Sequence, residues 1–194
     1  MRIKYYTGFG VADVSDSVLL ITRTVSASLR NRGYVLRTSG ETEMDGAFEK
    51  EASVDKEVFI SRAGINGRDV SNGRTYLPTR SAYSIAAKFS QEWSLLTLFQ
   101  KAELAACTNM LLGSNTEQSS DFVVCYTHCR TETKCDINTE TSSKMKFIVN
   151  MASRYHIPIF NLAYVDAAER LLTHLKIERS LARFSQEEQG KPYL

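Results

Sequence analysis

The sequence has few of the features that mark fibrous, disordered, disulfide-rich or membrane proteins. Three prolines and ten glycines among 194 residues exclude a collagen-like chain, and 43% hydrophobic residues exclude a disordered one. Four dispersed cysteines are too few for a secreted domain held together by disulfides. No segment approaches the roughly 18 uninterrupted apolar residues of a membrane span, and the first residues lack a secretory signal. The composition predicts a soluble protein of the reducing cytosol.

The charge is also nearly balanced. The 24 basic and 22 acidic residues leave a formal charge of +2. This argues against a dedicated nucleic-acid or membrane binder that works by bulk charge, although a local nucleic-acid contact stays open. The length predicts one domain, which we place at residues 1–180, followed by a polar tail over 181–194.

Short strand-like segments alternate with helix-like segments along the chain. The spacing of Val14, Val18, Ile21, Val25 and Leu29 predicts one apolar face of a first helix. Such alternation is typical of an α/β fold, here a Rossmann-like, doubly wound, mostly parallel five-stranded sheet flanked by helices. Strands are predicted over 3–6, 34–37, 57–60, 122–126 and 157–162. Later helices are predicted over 45–50, 81–89, 94–112 and 144–155 and from 166 onward.

The loops that follow these strands are the expected ligand site. In a doubly wound sheet, ligands bind outside the carboxyl ends of the strands, where the strand order reverses. Residues 7–10 are predicted as a glycine-bearing turn at the start of the first of these loops. The loop over 61–80 is rich in arginine, which fits either an anion clamp or a solvated surface loop.

Several segments, in the correct order, resemble one known group. The match covers residues 6–10 and 32–40, then 121–125 and 155–163, with Asp45 and Glu49 in between. These segments resemble the SLOG superfamily, the Rossmann-like group that contains the DNA-processing protein DprA and the LOG phosphoribohydrolases, in a branch common in bacteriophage genomes. The resemblance implies a nucleotide-type ligand and a phage-encoded protein that acts in the host cytoplasm.

Two turns depart from the pattern of that group. Relatives carry Ser-Gly-Gly-x-x-Gly-x-Asp after the second strand, where this chain has Ser39 and Glu43 in place of two glycines. Relatives also carry Gly-Gly-Thr-Gly before the fifth helix, where residues 139–143 contain no glycine. Glycine lets a backbone approach phosphate oxygens closely, and the carboxylates of Glu41, Glu43 and Glu140 would repel a phosphate. We therefore expect a different ligand, weak binding or a decayed site.

The candidate catalytic residues are Arg37, Asp45 and Glu49. Asp45 and Glu49 are four residues apart on one helix face, and Arg37 ends a strand. In the phosphoribohydrolases an acidic residue and an arginine assist cleavage of an N-glycosidic bond, so the resemblance implies that role here. The alternative is a structural salt bridge between Arg37 and Asp45.

The candidate nucleotide-binding residues lie in four turns. They are expected to offer backbone N–H groups, hydroxyls and positive charge to a ligand. They are Thr7, Gly8, Gly10, Ser39, Gly40, Arg62, Asn66, Arg68, Thr141 and Ser142.

No cofactor and no metal site is expected. Cys125, His128, Cys129 and Cys135 lie close together, but their spacing is not a familiar zinc pattern, and buried cysteine is ordinary core material. An apolar patch fits the protein core or, as the alternative, a homodimer interface. The patch consists of Trp93, Leu95, Leu96, Leu98 and Phe99.

Three functions follow from these observations. The first is binding of a nucleotide or nucleotide derivative, in host nucleotide metabolism or signalling. The second is hydrolysis of a nucleoside monophosphate at its N-glycosidic bond. The third is a non-catalytic structural or host-interaction protein on a retired Rossmann scaffold, with a host protein as its partner.

Overall fold

The computed structural model describes residues 2–54 and 56–176, so the predicted tail over 181–194 lies outside the described residues. Its centre is one open sheet of six strands, in which every neighbouring pair is parallel. The order is β4-β3-β2-β1-β5-β6. The doubly wound parallel fold is thereby confirmed. The strands are β1 (Lys4–Gly10), β2 (Tyr34–Thr38), β3 (Lys56–Phe59), β4 (Thr75–Tyr76), β5 (Phe122–Tyr126) and β6 (Ile159–Asn161).

Helices cover both faces of this sheet. One face packs on α1, α2 and α6, and the other packs on α3, α4 and α5. The sheet is therefore buried on both sides, as expected for parallel strands joined by helical crossovers. The helices are α1 (Asp16–Arg30), α2 (Glu43–Ala52), α3 (Arg80–Phe89), α4 (Leu98–Leu112), α5 (Ser143–Arg154) and α6, described over 167–176.

Alternation along the strands divides the core into two halves. On the α1/α2 face, Tyr6 stacks on Phe122 with ring centroids 6.1 Å apart, beside the fully buried Leu36. On the opposite face, Phe59 and Val123 pack against α4 and α5. Neighbouring residues of one strand thus belong to different cores, which decides which polar side chains can meet.

The turn predicted at residues 7–10 is wrong, because these residues belong to β1. They pair with β5 along Tyr6–Gly10, so the backbone stays extended. Gly8 and Gly10 have a packing role here. A Cβ on Gly8 would lie 2.8 Å from Leu36 Cδ1 and 2.9 Å from Phe48 Cγ. Glycine at these positions lets α2 lie close against the sheet.

The predicted number of five strands is wrong, because the arginine-rich loop contains a sixth, short strand. Thr75–Tyr76 pairs with Val58 and Phe59 of β3 and forms the edge strand β4. Two 3-10 turns, Ile65–Gly67 and Val70–Asn72, precede it. A two-residue strand leaves too little alternation to be recognised in the sequence.

The buried face of α1 is rotated from the predicted one. Ile21 is 48% exposed, whereas Thr22 and Ser26 are fully buried. The Ser26 hydroxyl donates to the Phe48 carbonyl at 2.8 Å, and the Thr22 hydroxyl donates to the Val18 carbonyl at 2.8 Å. Hydroxyls that are hydrogen-bonded are tolerated in a protein core. Because Thr22 and Ser26 are polar, the spacing of the apolar residues alone does not identify the buried face of α1.

The apolar patch around Trp93 is divided between core and surface. Trp93 and Leu96 pack partly against the core, in agreement with the first interpretation. Leu95, Leu98 and Phe99 are 81%, 85% and 41% exposed, so core burial is wrong for these three. The homodimer interpretation of this patch stays a prediction.

Candidate functional site

An ion pair crosses the carboxyl edge of the sheet at the point where the strand order reverses. Lys144, in the first turn of α5, lies 3.4 Å from a carboxylate oxygen of Glu41, in the loop after β2. Because β1 lies between β2 and β5 in the sheet, this pair spans the carboxyl end of β1. The Ser61 hydroxyl, just beyond β3, donates to the other Glu41 oxygen at 3.2 Å. Segments that follow three different strands therefore meet here.

Helix α4 adds an acid and a thiol to this group. Glu103 and Cys107 are four residues apart on α4, and both interact electrostatically with Lys144 and Glu41. We call Glu41, Ser61, Glu103, Cys107 and Lys144 the edge cluster. It combines two carboxylates, one ammonium group, one hydroxyl and one thiol at the position where this fold binds ligands.

The protonation states in the edge cluster follow from burial and from the neighbouring charges. Burial alone would lower the pKa of Lys144, but Cys107, Glu41, Asp45 and Glu103 together outweigh it and raise the pKa. Burial and the Glu41 charge raise the pKa of Glu103, against the opposing effect of Lys144. Burial raises the pKa of Cys107 to about 11, so this thiol stays protonated at neutral pH and is a poor nucleophile.

Asp45 lies beside the edge cluster and fills the turn after β2. Its carboxylate is fully buried and accepts hydrogen bonds from the N–H of Gly10 at 3.1 Å and the N–H of Glu41 at 2.9 Å. The Ser39 hydroxyl donates to the same carboxylate at 2.5 Å, and the N–H of Thr42 lies at 3.4 Å. Donors from the predicted phosphate turn therefore converge on a side chain of the protein itself.

Glu49 anchors the arginine-rich loop to this turn. Its carboxylate pairs with both terminal nitrogens of Arg68 and, at 3.0 Å, with Lys56. Arg68 Nε donates to the Gly40 carbonyl at 3.1 Å, and Asn66 donates to the same carbonyl at 3.2 Å. Ser39, Gly40, Asn66, Arg68, Asp45 and Glu49 are thus brought together as predicted, but their polar groups contact one another.

Arg37 lies elsewhere. Its Nε donates to Glu57 at 2.7 Å, its Nη1 donates to the Gln118 carbonyl at 2.6 Å, and its guanidinium stacks 3.6 Å from the Tyr5 ring centroid. The predicted Arg37–Asp45 salt bridge is wrong. The register of β2 and β3 places Glu57 directly beside Arg37, whereas Asp45 lies beyond the opposite sheet face, on α2.

The other residues predicted in the first and third loops are separated from the edge cluster or exposed. The hydroxyl of Thr7 is buried in mid-sheet, where it donates to the Met110 carbonyl at 2.7 Å. Arg62 is exposed, with its guanidinium 5.1 Å from the Phe99 ring centroid.

The turn before α5 is also satisfied by its own side chains. Asn138 Oδ1 accepts from the N–H of Glu140 at 2.9 Å and from the N–H of Thr141 at 3.1 Å. The Ser142 hydroxyl caps α5 by accepting from the N–H of Met145 at 3.2 Å. Thr141 is buried, and Ser142 is the N-cap residue of α5, two residues before Lys144. Both residues lie at the carboxyl edge as predicted.

A cavity of about 260 Å³ adjoins the first turn of α5. It lies between α4, α5 and the segment after α3, with Phe89 and Phe147 among its apolar walls. Small-molecule sites combine such walls with a few polar groups. The polar residues of this cavity are Ser90, Gln91, Glu92, Ser143, Lys146 and Asn150.

Sequence reasoning missed the α4 contribution and this cavity. Glu103 and Cys107 occur in a helix that is buried on most sides, so α4 shows no polar face that would single them out. A signal existed, because Glu103 is the one acid in an apolar stretch over 102–107, and a half-buried acid needs a partner. The charge of Lys144 lies close enough to act on Glu103, and only the tertiary fold reveals this proximity.

Neither a metal site nor a membrane-spanning helix is found in the described part of the chain. No group of three or more His, Cys, Asp or Glu side chains in residues 2–54 and 56–176 is arranged to hold a metal ion. Cys125 is buried in β5, whereas Cys135 is exposed. None of the helices in the same residues is long and apolar enough to span a membrane.

A mostly aliphatic groove of about 380 Å³ lies away from the carboxyl edge, between α1 and α6. Leu20 and Leu172, 64% and 42% exposed, form part of its wall. It shares no residue with the edge cluster.

Comparison of the chain with protein-family models, with curated proteins and with solved structures finds no match. The resemblance to the SLOG superfamily therefore stays a prediction.

Proposed function

We propose that this protein binds a nucleotide or a nucleotide derivative at the carboxyl edge of its sheet. The observation that carries the proposal is the Lys144–Glu41 ion pair, which spans the end of β1 where the strand order reverses. Doubly wound folds bind their ligands in the crevice at this point.

The chemistry of the edge cluster suits such a ligand. The carboxylates of Glu41 and Glu103 can accept hydrogen bonds from sugar hydroxyls or from the amino groups of a base. Lys144 is a donor for ring nitrogens and carbonyls, and its raised pKa keeps it charged at neutral pH. The neighbouring cavity offers Phe89 and Phe147, on which a planar base can pack.

The proposal is tested by thermal unfolding in the presence of nucleosides, nucleoside monophosphates, dinucleotides, cyclic nucleotides and ADP-ribose. A ligand at about 100 times its Kd stabilises the folded state by roughly 2.7 kcal/mol, which shifts the midpoint clearly. We expect a shift with at least one compound, and a smaller shift in Glu41→Gln. The matched control is Glu43→Gln, because Glu43 is an exposed carboxylate only two residues away. A panel without any shift contradicts the proposal.

A second candidate is hydrolysis of the N-glycosidic bond of such a ligand. The observation that favours it is the pair of carboxylates in one cluster, one of which, Glu103, has its pKa raised by burial and by Glu41. A carboxyl group whose pKa is raised by burial is typical of a general acid. In this reaction Glu103 would protonate the departing base while Glu41 assists the attacking water. Release of free base by the wild type, and binding without release by Glu103→Gln, would support it.

A further inference from the structure

We propose that the ligand of the carboxyl edge is an unphosphorylated nucleoside. This inference rests on the proposed function and names its ligand class. The structural reason is that each of the two turns that would hold a phosphate already contains its own acceptor.

The turn after β2 is filled by Asp45. A phosphate in this turn would need the N–H groups of Gly10 and Glu41 and the hydroxyl of Ser39 as donors. All three donate to the buried Asp45 carboxylate, at 3.1, 2.9 and 2.5 Å. The carboxylate thus takes the place that a phosphate oxygen would take, and it carries the same sign of charge. A phosphate would have to displace a buried, fully bonded anion.

The turn before α5 also contains acceptors of its own. Asn138 accepts from two successive N–H groups, those of Glu140 and Thr141, and Ser142 accepts from the N–H of Met145. Of these amides, that of Met145 lies in the first turn of α5, where a helix N-terminus binds an anion, and those of Glu140 and Thr141 lie in the turn just before the helix. Side chains of the turn have taken them, and no glycine in residues 139–143 lets the backbone approach a larger anion.

The charges at the carboxyl edge also disfavour a phosphate. Glu41, Asp45 and Glu103 face one ammonium group, that of Lys144, which Glu41 already engages at 3.4 Å. A phosphate dianion would meet carboxylates that are not neutralised. The sugar hydroxyls and the base amino groups of a nucleoside are donors, and they match an edge that is rich in acceptors.

Calorimetric titration of the full chain with adenosine, guanosine, cytidine and uridine, and with the 5′-monophosphate of each, tests the inference. We expect the preferred nucleoside to bind at least about tenfold more tightly than its monophosphate, a factor that corresponds to about 1.4 kcal/mol. Inorganic phosphate should not compete with it. The preference should shrink in Glu41→Gln, which removes one repelling charge but keeps an acceptor for Ser61, and should persist in Glu43→Gln.

Two results are distinguishable failures. A monophosphate that binds as tightly as its nucleoside, or competition by inorganic phosphate, overturns this inference and leaves the proposed function intact. The absence of binding by any nucleoside or monophosphate overturns this inference, and it overturns the proposed function as well only if dinucleotides, cyclic nucleotides and ADP-ribose also fail to bind.

Discussion

At the scale of single residues, the buried charges of this protein divide into those that hold the fold and those that face the edge. Arg37 belongs to the first group, because its guanidinium is 2% exposed and bonds to Glu57 and to the Gln118 carbonyl. Lys144 and Glu41 belong to the second group, because their side chains are 32% and 15% exposed. This division determines which substitutions are expected to affect stability and which to affect binding.

Replacement of Arg37 by methionine tests the structural role. The change leaves Glu57 without its partner and removes the stacking on Tyr5, so we expect a loss of about 3 kcal/mol in the free energy of unfolding. Urea denaturation measures this loss. Ligand affinity, measured below the unfolding transition, should stay unchanged. The matched control is Arg62→Met at an exposed arginine, which should alter stability by less than about 0.5 kcal/mol. An Arg37→Met protein of wild-type stability that no longer binds ligand would refute the structural role.

The pH dependence of stability tests the environment of Glu103. Its pKa is raised above the ordinary 4.5 by burial and by Glu41, so the folded protein holds this proton more tightly than the unfolded chain does. The contribution of Glu103 to stability is therefore greatest below the unfolded pKa and is lost as the pH rises through the raised folded value. Glu103→Gln abolishes this dependence. We expect the variant to melt above the wild type at neutral pH, with a difference that shrinks toward acidic pH in thermal unfolding. An equal difference at every pH would contradict a raised pKa.

At the scale of the elements, the contact between β1 and α2 positions the turn that Asp45 fills. Gly8 and Gly10 leave no room for a side chain beneath α2, and the N–H of Gly10 reaches Asp45 from the sheet. The capping box of α2, in which Thr42 and Asp45 bond reciprocally, fixes the other side of the turn. The close approach of helix and strand is thus what brings the Asp45 acceptor into the turn.

Two glycine substitutions test this contact. Gly8→Ala places a methyl group within 3 Å of Leu36 and Phe48, so we expect a loss of about 1–3 kcal/mol in unfolding free energy. Gly46→Ala on the exposed side of α2 meets nothing within 4 Å, and should stabilise the protein by about 0.5–1 kcal/mol. Denaturation midpoints of the two variants should therefore move in opposite directions. A neutral Gly8→Ala would show that α2 does not pack as closely as described.

The elements also show what a sequence reveals and what it conceals. The strand at 122–126 is an unbroken apolar run and was predicted with its observed bounds, and α3 and α5 were predicted within one residue at each end. The buried face of α1 was not predicted correctly, because Thr22 and Ser26 are buried and their hydroxyls are hydrogen-bonded. The sequence from Thr7 to Gly10 is typical of a turn because it contains two glycines. The structure shows that these glycines make room for side chains of α2, which the local sequence cannot reveal.

At the scale of the whole molecule, the sheet order decides which predicted residues can meet. The alternation of strands and helices was sufficient to predict a parallel doubly wound fold and the edge at which its loops gather. It was insufficient for the site itself. Arg37 and Asp45 are close in sequence but occupy opposite faces of the sheet, whereas Glu41 and Lys144 are distant in sequence and form an ion pair across β1. Which of these side chains meet is decided by strand register and by packing between distant parts of the chain.

The most direct test of the central claim, that the carboxyl edge is the ligand site, is hydrogen exchange measured by mass spectrometry with and without a saturating nucleoside. We predict slower exchange in residues 39–45, 61–68 and 141–146, which surround Glu41 and Lys144, and unchanged exchange in α1 and α6. Protection confined to the groove between α1 and α6, or none at the carboxyl edge, would contradict the account.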